Sequence, residues 1–257
     1  MTEKLVDLGN GFWSIRGELK LAGVVDLGTQ ASLIERPGGG FVMLDSYTLP
    51  PRVLEQVRKL TDGGRKIEAI VNVHPFHTLH CEAAHRQFPD AKLYGLDRHK
   101  EKYPDLPWEA ETTNSEECQA LFADCLEFSV PDGIRLVCSS EHIHAGSVLA
   151  YHPASQTLHV DDTLSCTDLP FPASLLPMSG RLDFHPTIPL SLEKRDGAVD
   201  DFRAWAKDIA QRWSDCRHVA CAHSKIVTME PDGFEKQVLA ALQRAETPLK
   251  LRKAAPF

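Results

Sequence analysis

The sequence predicts an α/β protein in which two β-sheets are covered by helices on their outer sides. Three observations lead there. Short β-like runs open the chain, an alternation of helices and apolar strands follows, and the same β-then-βα order returns in the second half. No internal repeat of fixed period accompanies this double order. At 257 residues, with 42% hydrophobic and 25% charged positions, the composition is that of an ordinary globular protein with a sizeable core. Residues 1–257 are therefore read as one domain.

The elements follow in order. "GFWSIRG" and "ASLIERPGGGFVMLDS" are strands, the second run folded on itself at the "PGGG" turn. "PPRVLEQVRKLTDGG" is a helix opened by proline and closed by glycine, "KIEAIVNV" a buried strand, and "TLHCEAAHRQFP" a helix stopped by proline. "AKLYGL" is the next strand. A polar stretch at 101–117 reads as irregular, after which "CLEFSV", "GIRLVC", "SVLAYHP" and "TLHVDD" read as strands. A loop rich in Pro and Ser spans roughly 165–190. The chain closes with the helix "DDFRAWAKDIAQRW", the strand "HVACAHS" and the helix "GFEKQVLAALQRAE".

Composition excludes several classes of function. No apolar run approaches the roughly 20 residues that span a bilayer, and the start "MTEKLVDLGNGFW" lacks a basic region followed by an apolar core, so a soluble, cytoplasmic protein without membrane contact is expected. Lys and Arg number 28 against 36 Asp and Glu, a net charge of -8 with only the short "KLRK" as a basic run, which argues against nucleic acid as a partner. Seven cysteines, an odd number without a Cys-x-x-Cys pair, argue against a disulfide framework or a four-cysteine zinc site and are expected as buried or half-buried thiols. A homodimer is allowed by this composition and is not legible in it.

The twelve histidines are unevenly placed. His74, His77 and His80 lie at a strand-to-helix junction, His142 and His144 precede a strand, and His223 follows another. Strands in layered α/β proteins open onto a shared crevice at their carboxyl ends, so residues far apart in sequence converge there. "TLHVDD" adds Asp161 and Asp162 at a fourth strand end. Imidazole nitrogens with a carboxylate suit zinc, and a 2-His-1-carboxylate subset also suits iron(II) or manganese. The bland reading of Asp162 is a turn or capping residue.

This order of residues resembles the metallo-β-lactamase superfamily over about 10–245. The resemblance rests on "LDS", the His cluster after a strand, "HIHAGS", "DDTL" and "CAHS". It implies an αββα sandwich of two mixed sheets with helices outside and a one- or two-metal site at one sheet edge, usually serving hydrolysis. The family's His-x-His-x-Asp-His motif lies over "NVHPFH", so that Asn72 and Phe76 replace a His and the Asp while His74 and His77 are kept. A register shifted by three residues would instead keep His77 and His80. His-x-Pro-Gly-Ser falls on "HIHAGS" with Ile143 at the ligand position; a one-residue adjustment selects His142, the preferred choice, or His144. Asp162 matches the bridging aspartate, His223 the last histidine, and Asp45 an aspartate that orients a ligand imidazole.

The resemblance thus implies a site of His74, His77, His142, Asp162 and His223 with about one divalent ion, since Phe76 removes the oxygen that completes a second site. Zinc is the first choice, iron or manganese the alternatives. Asp162 is the catalytic candidate, linking metal to water, and His80 or His144 would protonate a leaving group. The expected function is hydrolysis of a small ester, lactone, thioester or phosphoester. The alternatives are a degenerate member that binds metal, ligand or partner without turnover, and a mononuclear iron oxygenase of a thiol or persulfide. Trp108, Phe171 and Phe184 in the long loops are candidates to line a substrate pocket.

Overall fold

The computed structural model describes residues 4–18, 20–21, 25–26, 28–138, 140, 142–166, 181–223 and 225–254. The first half contains β1 (Lys4–Asp7), β2 (Phe12–Gly17), β3 (Lys20–Leu21), β4 (Val25–Asp26), β5 (Thr29–Glu35), β6 (Phe41–Leu44), α1 (Pro51–Leu60), β7 (Ile67–Val71), α2 (Cys81–Gln87), β8 (Lys92–Gly95), α3 (Asp97–Lys102), β9 (Trp108–Thr112) and α4 (Glu116–Ala120). The second contains β10 (Glu127–Ser129), β11 (Leu149–His152), β12 (Thr157–Val160), β13 (Leu164–Cys166), β14 (Leu182–Phe184), α5 (Ile188–Ser191), α6 (Ala198–Arg212), β15 (His218–Cys221), β16 (Ile226–Thr228) and α7 (Gly233–Ala254).

Seven strands form one mixed sheet in the order β1-β2-β5-β6-β7-β8-β9, and five form a second in the order β10-β11-β12-β15-β16. Alternation along the strands makes the layers. On β5 and β6, Leu33, Phe41 and Met43 pack outward on Val53 and Val57 of α1 and Ala84 of α2, whereas Ile34, Val42 and Leu44 pack inward with Val148 and Ala150 of the second sheet. The outer face of the second sheet sends Leu149, Tyr151, Leu158, Val160 and Val219 against Phe202, Ala206 and Ile209 of α6 and Val238 and Ala241 of α7. The predicted αββα sandwich is thus the observed architecture.

Two expectations are corrected. "GIRLVC" is not a strand; only Ile134 bridges Leu192, because Gly133 at φ +73° turns the chain and Arg135 bonds through its N–H to Ser191 O and through its side chain to the carbonyls of Leu190 and Leu192. The "irregular" 101–117 stretch holds β9, a polar edge strand that is half-exposed on both faces and so carries no apolar run to betray it. All seven cysteines are buried and unpaired, and no described helix is long and apolar enough to cross a membrane.

The two sheets are stitched by buried polar groups beside the strand ends that matter. Arg16 of β2 donates to Gln30 Oε1 (2.9 Å) and to Cys221 O at the end of β15 (2.7 Å), and Gln30 Nε2 donates to Val160 O (3.0 Å) and Ala220 O (2.9 Å). These buried hydrogen bonds set the ends of β12 and β15 against the first sheet.

Candidate metal centre

β6 and β7 are parallel neighbours in one sheet, β12 and β15 in the other, and the segments that leave their carboxyl ends meet at one edge of the sandwich. Leu44 is followed by Asp45, Val71 by the segment to His77, Val160 by Asp161 and Asp162, and Cys221 by His223. Asp45 sits at φ +60°, a left-handed conformation that Asp tolerates better than most residues. Its N–H donates to Val71 O (2.9 Å), and its Oδ1 accepts from Val73 N–H (2.9 Å), which fixes the chain at the mouth of β7.

Four imidazoles converge on the carboxylate of Asp162. His74 Nε2 lies 3.3 Å, His77 Nε2 3.7 Å and His144 Nε2 3.8 Å from Oδ2, and His223 Nε2 lies 3.4 Å from Oδ1. Ligands held about 2.0–2.2 Å from a tetrahedral ion stand about 3.3–3.6 Å from one another, a range that His74 and His223 meet and that His77 and His144 slightly exceed. His74, His77 and Asp162 each offer a ligand atom within 4.8 Å of the others, as do Asp45, His77 and Asp161. The residues present therefore fit a divalent metal.

Hydrogen bonds to the other ring nitrogen set each imidazole's tautomer. His223 Nδ1 donates to Gly28 O (2.9 Å), which turns Nε2 toward Asp162; burial opposes its charge but Asp162 raises the His223 pKa, so a proton on Nε2 must leave before that nitrogen takes an ion. His77 Nδ1 stands 3.1 Å from Asp161 Oδ2. His74 differs: Nδ1 accepts from Phe76 N–H (3.2 Å) and Nε2 donates to His144 O (2.8 Å), so that proton must leave before Nε2 takes an ion.

Charge follows burial and neighbours. Burial lowers His74 to about 4, well below the usual imidazole value. Burial opposes the charge of His77 too, but Asp161 and Asp162 hold its proton well above the usual range. Burial would raise Asp162; His74, His223 and His77 instead draw it well below the ordinary carboxylate range, so it remains ionised.

Of the residues picked from the sequence, His74, His77, Asp162 and His223 come together and His142 does not. His142 is exposed, and its N–H approaches Ser140 Oγ at 3.4 Å. His144 takes the place instead, because Thr163 Oγ1 donates to Ala145 O (3.0 Å) and accepts from Ser147 N–H (2.9 Å), pinning the loop beside Asp162. His80 also lies away from Asp162, bonded to Thr48 Oγ1 (2.8 Å) and edge-on to Tyr47, which favours the register of His74 and His77.

The replaced motif positions have other work. Asn72 accepts from Ser46 N–H and donates to Tyr94 O, both at 3.0 Å, and so clips three strand ends. Phe76 carries the Arg98 guanidinium 4.4 Å above its ring. Trp108 donates to Tyr103 O, and Phe184 is buried on Phe202 and Trp205, so both anchor loops to the body; Phe171 lies outside the described residues.

The sequence places Asp161 at a strand end without a ligand role and gives none to His159, whose Nε2 lies 3.0 Å from Asp45 Oδ2 and whose Nδ1 bonds Ser32 Oγ (2.9 Å). The available signal was the alternation of "TLHVDD", which puts His159 and Asp161 on one face of the strand line. His185 also arrives, its ring 5.1 Å from that of His144.

No protein-family model matches the chain, and no curated protein sequence matches it. Solved structures do. The mono-zinc form of the metallo-β-lactamase FIM-1 from Pseudomonas aeruginosa superposes with a TM-score of 0.62 at 12% identity, covering 95% of this chain and 96% of that one. A metallo-β-lactamase from Hirschia baltica gives 0.60 at 16% identity over 94% and 98%, and one from Pontibacter korlensis 0.59 at 12% over 94% and 99%. The chain has the metallo-β-lactamase fold. At such identities the likeness is one of fold, and the chemistry must be argued from the site.

Proposed function

We propose that the protein is a metal-dependent hydrolase of a small ester, lactone, thioester or phosphoester. One catalytic divalent ion, zinc, is held by Asp162 with ligands drawn from His74, His77, His144 and His223. The observation that carries this reading is the convergence of four imidazoles on one buried carboxylate, with ligand atoms of His74, His77 and Asp162 all within 4.8 Å of one another. When bound, such an ion polarises a carbonyl or phosphoryl oxygen and acidifies water.

The chain's own groups supply the rest. Asp162, ionised throughout the ordinary pH range, orients an attacking water as hydrogen-bond acceptor. His185 accepts at Nδ1 from Thr187 N–H (3.2 Å), so its neutral ring carries a proton on Nε2 beside His144 and can donate a hydrogen bond to a leaving group. A groove lined by Ser165, Phe184, His185, Ile188 and Ala241 opens next to it, with an apolar wall for the organic part of the substrate.

The test is turnover of an ester, lactone, thioester and phosphoester panel by metal-stripped protein before and after zinc, iron(II) or manganese is restored. Metal-dependent hydrolysis of one class is expected. Metal uptake without turnover of any class would overturn the hydrolase in favour of a binding protein, and oxygen consumption by the iron form with a thiol or persulfide would favour an oxygenase. In the same assay His144→Ala is expected to weaken metal retention and His142→Ala to leave it at the parent level; the reverse order would return His142 to the site.

A further inference from the structure

Beneath Asp162, toward the sheet interface, lies a second set of donors. The geometry points to an inner cation site formed by Asp45, Asp161 and His77, adjacent to the ion held at Asp162 and separate from it. It does not depend on which reaction the outer ion serves.

Asp161 is the centre of the argument. It is 1% exposed, and neither of its carboxylate oxygens has a hydrogen-bond partner. His77 Nδ1 stands 3.1 Å from Oδ2 within ion-pair distance, and His159 Nε2 4.0 Å from Oδ1. A buried carboxylate whose only close cationic partner is one imidazole remains costly unless further positive charge stands against it. Asp45, 2% exposed, brings a carboxylate oxygen within 4.8 Å of one on Asp161, although both are acids. Two carboxyl groups so placed need either a shared proton or a cation between them.

Three features favour the cation. Ligand atoms of Asp45, His77 and Asp161 lie within 4.8 Å of one another. Asp45 is already braced, with Val73 N–H on Oδ1 and His159 on Oδ2, and His159 is itself held by Ser32; outer partners of this kind orient a metal-binding carboxylate. A third buried carboxylate, Asp162, stands alongside and adds to the negative charge gathered here. Two carboxylates with one imidazole suit manganese(II) or iron(II) as readily as zinc.

His77 presents Nδ1 inward and Nε2 outward, and the inner contact is the shorter, 3.1 Å against 3.7 Å. With His77 on the inner ion, the outer one keeps Asp162, His74, His144 and His223. The carboxylate missing at Phe76 is thus returned by Asp161 from β12, and the single ion expected from the sequence becomes two.

Metal-stripped parent chain, dialysed against manganese(II), tests this by elemental analysis and by electron paramagnetic resonance. The parent is expected to hold two ions per chain, with two manganese environments in the spectrum. Asp161→Asn should hold one, His223→Ala one, and the double variant close to none, each checked for folding by circular dichroism. A single ion in the parent overturns the inner site and leaves the shared proton, a result that needs no variant to fold. Loss of an ion in Asp161→Asn with none lost in His223→Ala would keep the inner site and sink the outer one.

Discussion

Asp162→Asn is expected to empty the outer site and to lower kcat/KM by about a thousandfold or more, since the several kcal/mol a bound ion contributes to the transition state are lost with it. Asparagine keeps the size and one oxygen but not the charge to which four imidazoles are turned. The fold should survive, because asparagine also satisfies a turn. Added zinc raises the melting temperature of a chain that binds it in the folded state, by about 2.7 kcal/mol of stability at a hundred times Kd. That rise should shrink in Asp162→Asn while the ion-free melting temperature moves little. Parent-level occupancy and activity in this variant would reduce Asp162 to a turn residue and remove the second half of the motif set from the site.

His77→Ala should cost metal affinity by well over the roughly 100-fold typical of losing a group that merely supports a ligand, whereas His80→Ala should retain the parent's affinity. The difference is geometric: His77 lies between Asp161 and Asp162, and His80 turns to Thr48. Equilibrium dialysis of the two variants decides it, and equal retention would defeat the assignment. The ion-free chain gives a second readout. Burial disfavours the His77 cation, but Asp161 and Asp162 hold its proton well above the ordinary value of 6.5. A raised folded-state value means that the stabilisation is full below about pH 6.5 and fades as pH climbs through the raised value. Urea denaturation of ion-free parent and His77→Ala should therefore differ most on the acid side of that window and converge above it.

What the sequence determined is the part carried by periodicity. Inward and outward alternation on β5, β6 and β12, the helical stripes of α1 and α6, and the repeated β-then-βα order suffice for two sheets with helices outside. They also place His74, His77, Asp162 and His223 at strand ends that open on one edge. β9 escaped because an edge strand exposed on both faces has no apolar period to read.

What only the tertiary structure decided lies in the loops, where side-chain direction has no period. His144 rather than His142 faces Asp162 because Thr163 and Ser147, from different segments, tie the intervening chain down. His80 is drawn off by Thr48, and Asn72 is spent on Ser46 and Tyr94. Asp161 became a candidate ligand only once Asp45 and His77, 116 and 84 positions away in the chain, were seen to close around it. A strand's pleat dictates where its own side chains point, but whether a buried carboxylate meets a donor, an acid or a cation depends on groups that only the packing of two sheets brings within reach.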